Sequence, residues 1–558
     1  MTRPGIRRML GRDAARKDVV AGTVLGLQSV PDGLAAGLLA GVSPLAGLYA
    51  YLFGMVGAAA VTSSGFLTVQ ATGAMALIVA DTPAVHRLDP ERSMATLGVL
   101  TGIILVGAGL LKVGRLVRFT PVPVMTGFLA AVGANIVIGQ LPSVTGFDAS
   151  GDTRLTRLFD TLARMGQWSA PAVFVSALTM IIIVLTHSTR FAGPALVVAV
   201  VVGSGVALVL NQVAEPHVET LSDLVAVPSA LPLPVLPDAR ATLDLLLPAL
   251  SLALVCTVQG AGVSAGLPNP GSRQPDPSRD VVGQGVGNLV SALLRGMPVG
   301  GSLSASMILV QAGARSRVAI FVAGGVMALT VVFAADLVAH TATPALGGLL
   351  LVVGILSIDP ARIRSVTKTG PFHTAVMAVT FVLTVLIPLQ FAVLVGIGLG
   401  IILFVAEQSN RVIVRRLWFE PVRRIREGDP PATLPAHDVV VLQPYGSLFF
   451  ASAPNFEAQL PKVGRDSRGS VVVLRLRGVG SVDLAVVEVL RRYVADLHVV
   501  GSTLKIVASD QPVLTQLEAT GFAAELGEGN LYRGGDWVGR AVRQAYGDAI
   551  ADLARRAR

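Results

Sequence analysis

Apolar runs follow one another from about residue 19 to about residue 408, broken only by short polar connections. A bilayer core takes about 20 apolar residues of helix per crossing. Inside lipid every backbone polar group must be paired internally, so only helices or closed barrels can span it. The run lengths divide residues 19–408 into about fourteen candidate helical spans. Composition agrees: 52% of the 558 residues are hydrophobic and 14% are charged, where a soluble chain carries about 25% charge. An ordinary cytosolic enzyme, a disordered chain and a fibrous protein are excluded.

The net charge is +9, and its placement reads as topology. Arg3, Arg7, Arg8, Arg12, Arg16 and Lys17 precede the first span. With residues 1–18 as a cytoplasmic flank, positive-inside counting puts Lys112, Arg115, Arg118, Arg190, Arg315, Arg317, Arg362, Arg364 and Lys368 on the cytoplasmic side. Glu215, Glu219, Asp223 and Asp238 fall outside. Arg411, Arg415, Arg416, Arg423, Arg424 and Arg426 return to the inside, which requires an even number of spans. The expectation is a multi-pass protein of the inner (plasma) membrane with both ends cytoplasmic. The basic clusters read as topology signals, so no nucleic-acid partner is expected.

After residue 408 the composition changes. Residues 409–436, with Asp429-Pro430-Pro431 and Pro435, read as a linker. Residues 437–558 have the pattern of a small α/β domain. Strands are expected at Val439–Leu442, Leu448–Phe450, Val471–Leu476 and Leu504–Val507. Helices are expected at Asp483–Leu497, Pro512–Thr520 and Trp537–Ala557.

Two apolar segments are too short to cross a bilayer. The third, near 68–80, contains Gln70, Thr72 and Gly73. The tenth, near 302–312, opens with Ser302, Ser304, Ala305 and Ser306. They lie seven spans apart, at corresponding places in two halves. Paired short segments of this kind point to an inverted-repeat transporter with its site near the midplane. A half-helix that starts inside the membrane presents unpaired N–H groups and about +0.5 charge. Two such ends offer about +1, which suits a small anion. Two re-entrant helices of purely structural use would carry the same signature.

Asp32 lies inside the first span beside Pro31. A charge at a bilayer centre costs about 2.5–3.5 kcal/mol on insertion scales, and intramembrane carboxyls usually face a cavity. The alternative is a neutral Asp32 that satisfies backbone groups freed by Pro31. Gln28, Gln259, Thr72, Ser302, Ser304 and Ser306 are neutral donors for a site, and for each Ser close helix packing is the rival use. Arg295 just precedes the tenth segment and could add a cation, although an interface anchor suits it better. Asp336 and His340 read as interfacial. Cys256 is the single cysteine, so no intrachain disulfide and no Cys-based metal site is expected. The seven histidines form no zinc pair or triad, and no Gly-Lys-Ser/Thr phosphate loop occurs. No cofactor is expected, and a proton or other ion gradient is the expected energy source.

Asp18-Val19-Val20-Ala21-Gly22, Val30-Pro31-Asp32-Gly33 and Ala40-Gly41-Val42-Ser43-Pro44-Leu45-Ala46-Gly47-Leu48-Tyr49 together resemble the opening of the sulfate permease (SulP) family of anion transporters. Gly283-Gln284-Gly285-Val286-Gly287-Asn288 and Met297-Pro298-Val299-Gly300-Gly301-Ser302 resemble its second-half motifs, and residues 437–558 resemble its C-terminal STAS domain. The resemblance implies seven-plus-seven inverted repeats, a core domain that carries the anion against a gate domain, and often a homodimer. It also implies an Arg where Ala305 stands, an acid at Gln259, a Gln at Asp32, an aromatic residue at Thr72 and Gly-Pro at Gln70-Ala71; this chain departs at each. Asp483 is followed by Leu484 and Ala485 in place of the hydroxyl residue that some STAS domains phosphorylate, so a scaffold or docking role is expected for the domain.

The reading is a non-enzymatic, alternating-access transporter of a small anion, with residues 19–408 as the transport domain. Sulfate is the family default, with bicarbonate or a dicarboxylate also open, and Asp32 is the expected proton-coupling group. An uncoupled anion channel, or an anion sensor acting through the STAS domain, are the rival readings.

Overall fold

The computed structural model describes residues 12–87, 89–112, 121–151, 153–187, 192–213, 216–267, 269, 274–419, 425–535 and 539–556. Arg3, Arg7, Arg8, Arg115, Arg118, Arg190, Glu215, Arg423, Arg424, Trp537 and Ala557 lie outside them. The chain divides into two compact units, Met1–Gly400 and Ile401–Arg558.

In the first unit each apolar run holds a helix. The first half comprises α1 (Arg12–Leu39), α2 (Pro44–Val61), β1 (Thr68–Gln70), α3 (Gly73–Ala80), α4 (Pro90–Leu110), α5 (Val122–Thr145), the short α6 (Arg154–Ala163), α7 (Ala170–His187) and α8 (Ala192–Val213). The second comprises α9 (Thr242–Gly266), α10 (Pro277–Leu293), β2 (Gly300–Ser302), α11 (Leu303–Gln311), α12 (Val318–Phe333), α13 (Thr343–Ser357), the short α14 (Pro360–Thr369), α15 (Pro371–Leu386) and α16 (Leu389–Asn410), whose last residues, from Ile401, belong to the second unit. The order helix, helix, strand with half-helix, then four helices thus occurs twice. Each occurrence holds seven such segments, six helices and one strand with its half-helix. Seven of the described helices are long and apolar enough to cross a membrane. With 8 and 9 residues, α3 and α11 are only about 12 and 13.5 Å long.

Prolines and acidic caps start several helices. Asp89 accepts the Arg92 N–H ahead of Pro90, and Asp276 accepts that of Ser278 ahead of Pro277; a proline in the first turn loses no helical bond. The glycine motifs set close helix approach. A Cβ on Gly47 of α2 would lie 2.0 Å from the Gly33 carbonyl oxygen of α1, and one on Gly287 of α10 would lie 2.7 Å from that of Gly54. Only glycine fits at such crossings.

The helices pack as two sets. In the first, α1 lies on α2 and α12, α10 on α2 and α4, and α9 on α4. In the second, α5 lies on α13 and α15, and α7 on α8 and α13; α16 contributes Gly396 against Val124 and Thr380.

The second unit is an α/β domain. Its sheet runs β4-β3-β5-β6-β7-β8, with β3 (Ile413–Phe419), β4 (Ile425–Gly428), β5 (Val439–Tyr445), β6 (Val471–Leu476), β7 (Thr503–Ala508) and β8 (Leu531–Arg533). Strands β5 to β8 are parallel, whereas β3 is antiparallel to both neighbours. Helices α17 (Ala453–Gln459), α18 (Leu484–Val499) and α19 (Gln511–Ala519) are followed by α20 (Arg540–Arg556). Val486, Val487, Leu490 and Leu514 share one apolar cluster with Val440, Val472 and Leu504, while Val542, Ala545 and Ala549 of α20 cover Val441, Val473 and Val507 on the other face.

Two expectations are corrected. The stretch 409–436 is not a plain linker, because β3 and β4 extend the sheet from within it. Val414 joins the apolar cluster on one face while Leu417 and Phe419 join that on the other, and Arg415, Arg416 and Arg426 lie among them, so no single alternating face could be read. Leu448–Phe450 is not a strand: Leu448 makes a single bridge to Val482, and Phe450–Ser452 is a 3-10 turn tied by the Ser452 hydroxyl.

Candidate site between two half-helices

The two short strands pair antiparallel, with Thr68 opposite Ser302, Val69 opposite Gly301 and Gln70 opposite Gly300. All six residues are buried. The chain leaves β1 into α3 and β2 into α11, so one strand pair positions the N-terminal ends of both half-helices.

Side chains from the neighbouring helices hold the pair. On α10, the Asn288 Oδ1 accepts the Val299 N–H at 3.0 Å and its Nδ2 donates to the Val299 carbonyl at 2.7 Å. One turn earlier, the Gln284 Oε1 accepts the Gly301 N–H at 2.9 Å. The Thr68 N–H donates to the Ser306 hydroxyl, which itself donates to the Ser302 carbonyl. The Gln70 Nε2 donates to Ser29 of α1 at 2.9 Å.

Around this frame the sequence candidates take different places. Thr72 precedes α3 in extended conformation and does not cap its own helix. Its hydroxyl donates to the Gln259 Oε1 of α9 at 3.1 Å, and that oxygen also lies beside Gly300. Ser302 caps α11 by accepting the Ala305 N–H, and its hydroxyl lies 3.2 Å from that of Ser304. Ser304 is exposed, whereas Ala305 and Ser306 are buried. Thr72, Gln259, Ser302 and Ser304 therefore stand at the half-helix ends, and the hydroxyl of Ser306 is engaged in the strand frame. Gly73 faces Ile136 of α5, which a Cβ would meet at 2.4 Å. Gln28 and Asp32 lie one turn apart on α1, on either side of the Ser29 that holds Gln70. The Asp32 Oδ1 and the Gln28 Oε1 are buried without a hydrogen-bond partner among the described residues.

Arg295 stands apart from this site. Its guanidinium reaches Glu91 and the Leu233 carbonyl, both at 3.2 Å, on the exposed surface. Asp336 and His340 are also exposed. The positive potential at the strand pair comes from the helix ends, about +0.5 each. An apolar cavity lined by Val124, Phe128, Val255, Gln259, Thr380 and Ala392 separates α9 from α5, α15 and α16. Among the described residues no cluster of three or more His, Cys, Asp or Glu side chains is placed to hold a metal ion.

Gln284 and Asn288, letters of a motif in the sequence, hold the strand pair in the fold. Two amides four residues apart among glycines, within an apolar run, were the available signal. Three carboxylates also join separate elements, of which the sequence marks only Asp18, as the head of a family motif. Asp280 accepts from Ser63, Ser64 and Ser264. Asp18 accepts from Arg315 and Ser316. Asp81 pairs with Arg154.

Comparisons with known proteins agree with this architecture. The sulfate permease family model matches residues 16–380, and the STAS domain model matches residues 431–535. YbaR of Bacillus subtilis, which carries a provisional sulfate-transporter name, is 28% identical over 404 residues, covering 72% of this chain and 79% of its own. The bicarbonate transporter BicA of Synechocystis is 26% identical over 412 residues, covering 73% and 70%. The solved structure of SLC26A9 superposes with a TM-score of 0.84 at 18% identity, covering 99% of this chain and 93% of that one; at that identity the likeness speaks for the fold. A family match across most of the chain, on a twice-repeated helical order with two half-helices, leads to one conclusion: this chain belongs to the sulfate permease family, a family of membrane anion transporters and not of enzymes.

Proposed function

We propose that the chain is a secondary active transporter that carries a small anion by alternating access, with the anion held between α3 and α11. The observation that carries this reading is the β1–β2 pair, which brings two half-helix N-termini together beside the hydroxyls of Thr72, Ser302 and Ser304. Donor N–H groups and hydroxyls without a fixed cation suit an anion that must also leave. The names of YbaR and BicA support sulfate or bicarbonate as cargo, and a small dicarboxylate has similar chemistry. Positive-inside counting supports an inner-membrane setting with the N-terminus and the STAS domain in the cytoplasm, and the family resemblance supports a homodimer.

Charge balance supports proton coupling through Asp32. A divalent anion beside an ionised Asp32, against about +1 from the helix ends, leaves about two negative charges uncompensated. A proton taken up with the anion removes one, and release of both on the cytoplasmic side makes a symporter. No cofactor is required.

The test is uptake of labelled sulfate, bicarbonate and fumarate into proteoliposomes, with and without a pH gradient, by the wild type and by Ser304→Leu. A carrier gives saturable uptake that Ser304→Leu abolishes by filling the site. Wild-type uptake and affinity in Ser304→Leu would place the site elsewhere. Conductance far above carrier turnover would favour the channel, and binding without uptake the sensor.

A further inference from the structure

Among the described residues, carboxylates stitch the first unit together at three places, two of them buried and the third, Asp81, half-buried. Asp18 on α1 binds the loop before α12, and Asp280 on α10 binds the segment after α2 together with Ser264 of α9. Both join elements of the first helical set. Asp81 differs. It caps the C-terminal end of the half-helix α3, whose start is tied to α1 and α9 of the first set, yet its partners lie on α6, which packs on α5, and on α16 of the second.

The geometry is specific. The Arg154 Nη2, at the first residue of α6, donates to Asp81 Oδ1 at 2.6 Å and to the Leu77 carbonyl at 3.2 Å. The other carboxylate oxygen accepts the Leu389 N–H, the first of α16, at 2.9 Å. The side chains of Arg154 and Asp81 are only 20% and 16% exposed. Helix α6 packs on α5 and is held by the Thr153–Thr156 capping box and by the Trp168 indole N–H on the Thr161 carbonyl. An arginine in the first turn of a helix opposes that helix's own dipole, so Arg154 does not serve α6. It serves the negative C-terminal end of α3, and Asp81 in turn serves the positive N-terminal end of α16.

We propose that Asp81 and Arg154 form a latch between the two helical sets, which holds the conformation of this structure and opens when the anion site changes sides. The proposal rests on the alternating-access reading above. Positive-inside counting puts this latch on the outer side, at the far end of the half-helix from the anion. Sliding of one set past the other separates two charges that each lose every polar partner at once, so the contact is made or broken, with no stable intermediate.

The experiment uses the full chain with its single cysteine removed (Cys256→Ala) and Ser304→Cys as reporter, in sealed cells probed from outside with a membrane-impermeant maleimide. Asp81→Asn and Arg154→Gln are each expected to raise the outside labelling rate at least threefold. The double variant should add little more, and Arg154→Lys should retain most of the protection. Labelling of the parent that all pair variants leave unchanged overturns the latch alone, whatever happens to the melting temperature. Absence of outside labelling in every variant, while the Cys256→Ala protein with Ser304 kept takes up anion, overturns alternating access and the latch with it. If Asp81→Asn fails to accumulate, the comparison of Arg154→Gln with Arg154→Lys decides.

Discussion

Asn288→Leu is the sharpest test of how the strand pair is held. Leucine nearly matches asparagine in shape, so little cavity forms. The change removes both hydrogen bonds to Val299, at 3.0 and 2.7 Å. The Val299 carbonyl keeps the Cys256 S–H as a donor at 3.1 Å, but its N–H is orphaned in a buried site. An orphaned buried donor costs about 1–3 kcal/mol, and single polar contacts in a membrane bundle average about 0.6 kcal/mol, with a maximum near 1.7. If β2 relaxes to find another partner, Ser302 and the start of α11 move with it, and anion binding must pull them back. Affinity should then fall by about fivefold at 1 kcal/mol and by no more than about 150-fold at 3 kcal/mol. The assay is equilibrium binding of labelled anion to purified full-length protein, with thermal melting alongside. Affinity within twofold of wild type in folded protein would show that Asn288 does not position the site.

Asp32→Asn should abolish the dependence of uptake on a pH gradient while downhill anion exchange survives; a full proton response in that variant assigns coupling to another group. Gly47→Ala places a Cβ 2.0 Å from the Gly33 oxygen and should destabilise by about 1–3 kcal/mol, the usual cost of overpacking. Gly262→Ala, which meets nothing within 4 Å, should be neutral or stabilise by up to about 1 kcal/mol; equal melting temperatures for the two variants would refute the packing argument. Burial alone would raise the Asp552 carboxyl, but the Lys505 ammonium at 3.0 Å, with Arg555, carries it below its ordinary value. A depressed folded-state pKa means that this stability is present above the unfolded value near 3.9 and is lost as pH falls through the lower folded value. Docking of α20, followed by amide exchange, should weaken over that acid range, and Asp552→Asn should flatten the profile.

The sequence made the membrane helices legible because lipid demands long, uninterrupted apolar runs. The half-helices were legible for the converse reason, since 8 or 9 residues cannot cross. Helix α18 showed through the stripe of Leu484, Val487, Leu490 and Val494, although Leu484 itself is 58% exposed. Strands β1 and β2 were not legible: three residues carry no period, and their pairing joins positions far apart in the chain. Strand β3 was hidden by arginines on an edge-proximal strand. The latch escaped because Asp81 and Arg154 each read as an isolated loop-proximal charge, and only the fold brings them together.

The strand pair also has a consequence for how the protein is made. Thr68 and Ser306, which share a hydrogen bond, are separated by 238 positions in sequence. At a synthesis rate of about 5–20 residues per second, β1 waits roughly 12–48 seconds for its partner. During that time its backbone groups are unpaired, a condition that lipid does not tolerate. The emerging first repeat must therefore be sheltered by the insertion machinery, or keep α3 at the membrane surface, until β2 has been made. Nascent chains halted between residues 213 and 300 should accordingly be recognised as unfinished and degraded, even with all of the first repeat's helices already translated.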